Sequence, residues 1–365
     1  MTPFSWQRAV IKVGSALVAP NDGDCSSKHL LAIARFIALS HSLGKEIILV
    51  SSGSVAAGRN SISCGQKPSV SEKQAMAAIG QTKMMANWSR FFEFPCAQIL
   101  LTHEDLQDRH RYVNVKNTLR ELLNNGALPI LNENDSVAVD EIKVGDNDNL
   151  GAYAAIVAEA DTLIICTDVD GLYDADPRRN PNAKLIENIS AITPSIKALA
   201  GGAGSRAGTG GMITKLEAAE KCIQSGIQTL LVNGEKSEVF DALIDGKCKG
   251  SLFSAGSSSA SAKAHWLAHS LKSKGQIHID EGAYHALQHS GASLLAVGIK
   301  AVSGNFTNND ATDICWNKQV IAKGICLYSK RELESIQGLR SGDIENKLGF
   351  SYGDTVVHRD DLVLI

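Results

Sequence analysis

The sequence predicts an α/β protein: a mostly parallel sheet with helices on both faces, followed by a small β-rich second domain. Three observations predict it. Through roughly residue 235, short apolar β-branched runs alternate with longer Ala/Leu-rich stretches, and that alternation implies βαβ units whose parallel strands are covered on both faces. From residue 275 onward the pieces IHID, ASLLAVGI, GNF, DICWN, QVIAKGICLYS and DTVVHR are short and strand-like, separated by Gly, Asn and Asp turns. Between the two lies the Ser/Ala/Lys-rich segment SAGSSSASAKAHWLAHSLKSKG at 254–275, which reads as a linker. The 365 residues also suit two domains at about 150 residues each. The expected division is a first domain at 1–255, a linker at 256–274 and a second domain at 275–365.

Taken in order, the expected strands are Ala9 to Val13, Glu46 to Ser51, Gln98 to Thr102, Leu128 to Asn132, Thr162 to Thr167 and Gln228 to Val232. Each is brief, apolar and rich in Ile, Val, Leu or Thr. Between them the helical spacing of apolar residues covers 30–44, 70–92, 112–126, 149–160 and 212–226. Gly44, Gly126 and Gly226 act as stop signals. In a sheet of this kind ligands bind at the carboxyl ends of the strands.

Composition excludes several classes of function. Thirty-six Lys and Arg against 39 Asp and Glu give a net charge of −3, with no strongly basic field for a nucleic-acid backbone. No apolar run reaches the ~18 residues that a bilayer crossing needs, so no membrane association is expected. The opening MTPFSWQRAVIKVGS lacks a basic segment followed by a long apolar one, which makes the cytoplasm the expected location. The eight cysteines are dispersed without a CxxC pair, a pattern of free thiols rather than of disulfides or a zinc site.

The glycines and Asx residues concentrate in loops after the strands. In IKVGSAL, Lys12 ends a strand and Gly14-Ser15 turns toward a helix, a place where backbone N–H groups and an ammonium meet an anionic phosphate. An ordinary βα loop with a solvated lysine fits the same residues. In ILVSSGSVAAGR, Gly53 permits close approach and the Ser52 hydroxyl suits a carboxylate, while helix caps account for such serines equally well. The segment LPILNENDSVAVDEIKVGDNDNLGAYAAI packs Glu133, Asp135, Asp140, Glu141, Asp146 and Asp148 among Asn132, Asn134, Asn147 and Asn149. Carboxylates and amides in that density suit a substrate ammonium or cations beside phosphates. An Asx turn and an N-capped helix explain Asn149 but not the number of carboxylates.

The stretch GGAGSRAGTGGMITK runs from a glycine-dense loop straight into a helix that carries Lys215 on its first turn. Thr209, Gly210 and Gly211 offer N–H donors at the positive helix end, and Lys215 adds a full charge. Neither GxxxxGK[ST] nor GxGxxG occurs, so the common nucleoside-triphosphatase and dinucleotide folds lose support. In LIICTDVDGLYDADPRRNP, Thr167 and Asp168 end a strand beside Asp170, Gly171, Asp174 and Asp176. Such an edge suits a nucleotide's base or ribose, and a plain Asp/Gly/Pro turn looks much the same.

Assembled, the motifs IKVGS, SSGSVAAGR, LNENDSVA, EIKVGDNDNL, TDVDGLYDADPR and GTGGMITK resemble, in order, those of the amino acid kinase superfamily and within it the glutamate 5-kinases. The segment from about Gln276, with IHIDEGA, GIKAVSGNF and YGDTVVHRDDL, resembles a PUA domain. The resemblance implies an amino-acid-kinase-like α/β/α sandwich with a PUA-like domain appended. It implies ATP-dependent phosphorylation of the side-chain carboxylate of L-glutamate to glutamyl 5-phosphate, the first step of proline biosynthesis. By the same resemblance Lys12 and Lys215 stabilise the transferring group and Asp148 organises the two lysines. Ser52, Gly53, Asp135 and Asn147 take glutamate. Lys12, Thr167, Asp168, Thr209, Gly210, Gly211, Met212, Ile213, Thr214 and Lys215 form the nucleotide site. Feedback inhibition by proline at the glutamate site and a dimeric or tetrameric homo-oligomer are further implications. The chain departs modestly from the pattern, with KVGSAL where members often show KLGTS and with GSRAG before GTGGM.

Elementary chemistry agrees with that reading. Phosphoryl transfer needs alignment and neutralisation of spreading negative charge more than covalent help. A side-chain carboxylate with an ordinary pKa near ~4.3 is already ionised at neutral pH and needs no general base. Mg²⁺ is expected on the phosphates of ATP rather than in a cage of protein ligands. A nearby alternative is a kinase of the same superfamily acting on acetylated glutamate or on aspartate. An N-acylated substrate lacks the ammonium that Asp135 would pair with, which favours the free amino acid. A more distant alternative is an RNA-associated protein acting through the PUA-like domain. Residues 275–365 carry eight Lys and Arg against eleven Asp and Glu, a poor charge for phosphate contacts, so RNA is not an expected partner and a regulatory or assembly role is.

Overall fold

The structure is a computed structural model that describes residues 2–365 except 21–24, 66, 103–104, 107–108, 138–146, 178, 201–210 and 255–272. It divides into two compact units, Met1–Ser259 and Ala260–Ile365. The expected linker at 256–274 falls almost wholly outside the described residues.

Alternation along RAVIKV explains the first unit. In β1 (Arg8–Val13) the residues Ala9, Ile11 and Val13 face one apolar cluster and Val10 the opposite one, which places Lys12 on the side of Val10. The strands that follow are β2 (Glu46–Ser51), β3 (Cys96–Leu101), β4 (Leu128–Glu133), β5 (Thr162–Thr167), β6 (Asn188–Ile189), β7 (Gln228–Asn233) and β8 (Gly250–Phe253). Among the described residues they form an eight-stranded sheet in the order β3-β4-β2-β1-β5-β7-β8-β6. Every neighbouring pair is parallel except β7 with β8, which is antiparallel. With β1 central, Lys12 lies opposite Val50 of β2 and Ile165 of β5. A side chain at that position is screened from water on both flanks.

Helices cover both faces. On the Ile11 side α1 (Leu30–Ser42) contributes Leu30, Ile33, Phe36 and Ile37. On the same side α3 (Val70–Ser89), which opens on a reciprocal Ser69/Glu72 capping box, contributes Met84 and Trp88. The short helix α2 (Ser54–Gly58) lies against α3. On the Val10 side lie α4 (Arg109–Asn124), α5 (Asn147–Val157) and α6 (Met212–Gln224). Helices α1, α4 and α6 each end two residues before the expected stops Gly44, Gly126 and Gly226. A further helix, α7 (Ser237–Ile244), packs Val239, Phe240 and Leu243 on the Ile11 side.

The second unit carries β9 (Gly275–Ile279), β10 (Ile299–Gly304), β11 (Asp310–Trp316), β12 (Gln319–Cys326) and β13 (Leu362–Leu364). Their order is β10-β9-β11-β12-β13, with β9 and β11 parallel and the other pairs antiparallel. Ile277, Ile314, Ala322, Leu333 and Ile336 are among its buried residues. Two strand-like pieces behave differently from expectation: 292–298 and 354–359 meet through a single bridge, Leu294 with Val357, because a 3-10 turn at Ala296–Gly298 ends the extended run. Helices α8 (Glu281–Ser290) and α9 (Lys330–Ile336) escape the sequence reading, since neither is long enough to show a clear period.

All eight cysteines are free thiols. Burial pushes the thiols of Cys166, Cys222 and Cys326 up to about 12. Among the described residues no helix is long and apolar enough to cross a membrane.

Candidate active site

The carboxyl ends of β1, β2, β4 and β5 and the first turns of α5 and α6 bring the charged motifs together. Asp148, on the first turn of α5, is fully buried, and its two oxygens lie 2.6 Å from Lys12 Nζ and 2.9 Å from Lys215 Nζ. Lys12 and Lys215 are themselves only 6% and 7% exposed. Burial alone raises a carboxyl's pKa, but the two ammonium groups outweigh it and hold Asp148 down to about 2. The result is a Lys–Asp–Lys bridge between one strand and two helices, with one net positive charge. Gly151 makes the approach possible: a Cβ there would press on Lys12 Cβ and Leu163.

Helix α6 opens at Gly211 without a side-chain cap, so its first N–H groups stay available to an anion. Thr214 Oγ1 lies 2.9 Å from Asp148 Oδ2 and 2.8 Å from Gly211 O. Its hydroxyl therefore braces the bridge. Met212 packs half-buried against the apolar core and Ile213 is exposed. Thr209 and Gly210 lie outside the described residues, as do Asp140, Glu141, Gly145 and Asp146 of the acidic segment.

A polar wall runs along the ends of β2 and β4. Gly53 adopts φ +107°, a left-handed conformation that glycine takes without strain, and turns the chain from β2 into α2. That turn sets Ser54 Oγ 3.0 Å from Asp135 Oδ2. Asn147 Nδ2 donates to Ser52 Oγ at 2.7 Å and to Asn132 Oδ1 at 2.8 Å. Asn132 Nδ2 in turn donates to Gln81 Oε1 at 2.9 Å, and Gln81 Nε2 to Gln98 Oε1 at 3.1 Å. Ser52, Gly53, Asp135 and Asn147 thus share one wall, Asn132 of the Asx-rich segment joins it, and so do Ser54, Gln81 and Gln98, which the sequence does not single out.

The ends of β5 and β7 form a second polar edge. Thr167 Oγ1 donates to Asp168 Oδ1 at 3.0 Å, with Thr167 buried and Asp168 exposed. Asp170 accepts from Asn233 Nδ2 at 2.9 Å and from Lys236 Nζ at 2.6 Å. Burial pushes the Asp170 carboxyl up, but hydrogen bonds from Lys236 and Asn233 outweigh that and lower it. Asn149, expected as a helix cap, instead sits inside α5 and accepts from Lys221 Nζ at 2.6 Å. Arg111 pairs with Asp105 at 2.9 Å. Among the described residues no group of three or more His, Cys, Asp or Glu could hold a metal ion, and Asp148 is committed to ammonium groups.

Known proteins line up with this geometry. The model of the amino acid kinase family matches residues 7–233 and that of the PUA domain matches residues 275–348. The chain is 52% identical to a glutamate 5-kinase of Idiomarina loihiensis, over 99% of this chain and 98% of that protein. It is also 52% identical to a glutamate 5-kinase of Salinibacter ruber, over 98% of this chain and 97% of that protein. Among solved structures, a carbamate kinase of Giardia lamblia bound to AMP-PNP aligns with a TM-score of 0.50 at 22% identity, covering 68% of this chain and 99% of that one, a likeness of fold. A mostly parallel sheet, a family match over residues 7–233 and relatives that align over nearly the full length lead to one conclusion: the chain belongs to the amino acid kinase family and carries a C-terminal PUA domain.

Proposed function

We propose that the chain transfers the γ-phosphoryl group of ATP to the side-chain carboxylate of L-glutamate, giving glutamyl 5-phosphate and ADP as the first step of proline biosynthesis. The observation that carries the reading is the buried Lys12–Asp148–Lys215 bridge. It holds two ammonium groups at fixed positions where negative charge spreads during in-line transfer. The carboxylate oxygen of glutamate forms the new O–P bond while the bond from the γ-phosphorus to the β,γ-bridging oxygen breaks, and that oxygen leaves with the electron pair as part of ADP. No proton changes hands, since the attacking carboxylate is already ionised.

Each neighbouring group has a part. Lys12 and Lys215 bind the transferring group and Asp148 holds both lysines in place. The uncapped start of α6 from Gly211 to Lys215, together with Thr209 and Gly210 that precede it in sequence, takes the phosphates, and Thr167 and Asp168 border the nucleotide. Ser52, Gly53, Asp135 and Asn147 take glutamate, with the Asp135 carboxylate suited to its ammonium. Mg²⁺ enters as part of the MgATP substrate, held by phosphate oxygens and water. In this reading proline competes for the glutamate wall, the chain assembles as a dimer or tetramer, and it works in the cytoplasm.

The test is ADP release with glutamate, N-acetylglutamate and aspartate in turn, each with and without proline. Glutamate-dependent release that proline suppresses is the expected result. A preference for the acetylated substrate or for aspartate overturns the assignment.

A further inference from the structure

The amide chain behind the glutamate wall has a direction. Every member donates toward the next: Asn147 to Asn132, Asn132 to Gln81, Gln81 to Gln98. A primary amide has one accepting and one donating end, so turning any middle member would set oxygen against oxygen and NH₂ against NH₂. Asn132 and Gln81 are buried at 1% and 7% exposure, where water cannot repair such a mismatch. The outer end, Gln98, is exposed on the edge strand β3.

The chain is anchored as well as directed. Gln81 follows Gly80, and at Gly80 the backbone of α3 touches Ser54 O and Gly58 N so closely that a Cβ would overlap both. About two turns further on, Trp88 Nε1 of the same helix donates to Ser51 Oγ at 2.9 Å. Helix α3 therefore grips the loop that carries Ser52 and Gly53 at two points while Gln81 reaches the amides between them.

We infer that Gln81 is a positioning residue for substrate selection: through Asn132 it commits the Asn147 NH₂ group to the protein and leaves Asn147 Oδ1, an acceptor, to meet the ammonium of a free amino acid. This rests on the proposed glutamate kinase activity and deepens it, since it explains how the amides of the wall add to the Asp135 carboxylate in selecting an ammonium. A carboxylate substrate without an ammonium gains nothing from an acceptor there.

The experiment compares kcat/KM for L-glutamate with that for glutarate, which has both carboxylates and no ammonium. Gln81→Met removes the link at constant length. It should lower the glutamate-to-glutarate ratio roughly tenfold, the size of a lost hydrogen bond to a charged group, with the change in KM for glutamate and not in kcat or in KM for ATP. Gln81→Glu keeps an acceptor opposite Asn132, and the exposed Gln98 can turn to donate to it, so this variant should stay near the unaltered ratio. Gln98→Met, on the exposed edge, provides a variant that leaves the core intact and should shift the ratio in the same direction by a smaller factor. A ratio unchanged in Gln98→Met and in Gln81→Met, or in Gln98→Met alone if the other does not fold, overturns the inference. Loss of kcat for both substrates together assigns Gln81 a merely structural role and overturns it too. If the unaltered chain does not phosphorylate glutamate, the underlying reading fails first and is seen to fail separately.

Discussion

The Lys–Asp–Lys bridge makes its strongest demands on single side chains. Lys215→Ala removes a fixed ammonium from the transfer path, and kcat should fall by about 10³ or more, as for other charged groups on a transferring phosphoryl; ADP release read against an unchanged circular-dichroism spectrum checks it. Asp148→Asn leaves two buried ammonium groups without a counter-charge. Its expected cost is on the order of 3 kcal/mol in urea unfolding, together with loss of turnover. The depressed Asp148 pKa fixes the sign of the pH effect. Its stabilisation is present above the unfolded value near ~3.9 and is lost as pH falls toward about 2, so thermal melts from pH 5 to pH 2 should show the native chain weakening where Asp148→Asn does not follow the same slope. Asp135→Ala should raise KM for glutamate about tenfold while kcat stays nearly constant. The sequence brought these residues forward through the motifs that resemble the family, since their local pattern alone fits an ordinary loop or helix start equally well. Gln81 and Gln98 were not legible there, because an amide in a helix or strand looks like any satisfied polar residue until its partners are known.

Among the elements, the crossing of α2 and α3 is the most constrained. A methyl group at Gly80 meets the Ser54 carbonyl and the Gly58 amide, and one at Gly58 meets the Met76 carbonyl. Gly80→Ala should therefore push the helices apart, destabilise the first unit by about 1–3 kcal/mol and raise KM for glutamate by moving the Ser52–Ser54 turn. Melting temperature and KM measured on the same preparation check both parts. The long strands and helices were readable from periodicity within two or three residues at their ends. The strands Asn188–Ile189 and Gly250–Phe253 were not, since two or four residues carry too little pattern and their place is set by pairing with β7 and with each other. The same limit hid α2, whose five residues form because Gly53 turns the chain and α3 receives it.

At the scale of the whole molecule, the change of composition near residue 255 falls close to the boundary between the two compact units, and the acidic excess belongs to residues 275–365 alone, since Lys263, Lys272 and Lys274 bring the whole second unit to eleven Lys and Arg against eleven Asp and Glu. The thiols buried in both units turn this division into something measurable. Cys166 and Cys222 lie in the core of the first unit and Cys326 in that of the second, and each reacts with an alkylating reagent only when its own core opens. Their labelling should run at least about a thousandfold slower than that of a free thiol. MgATP at a hundred times its Kd should slow Cys166 and Cys222 about a further hundredfold, while Cys326 keeps its pace. The Cys166 and Cys222 pair and Cys326 thus act as two clocks, timing how often each half of the molecule breathes.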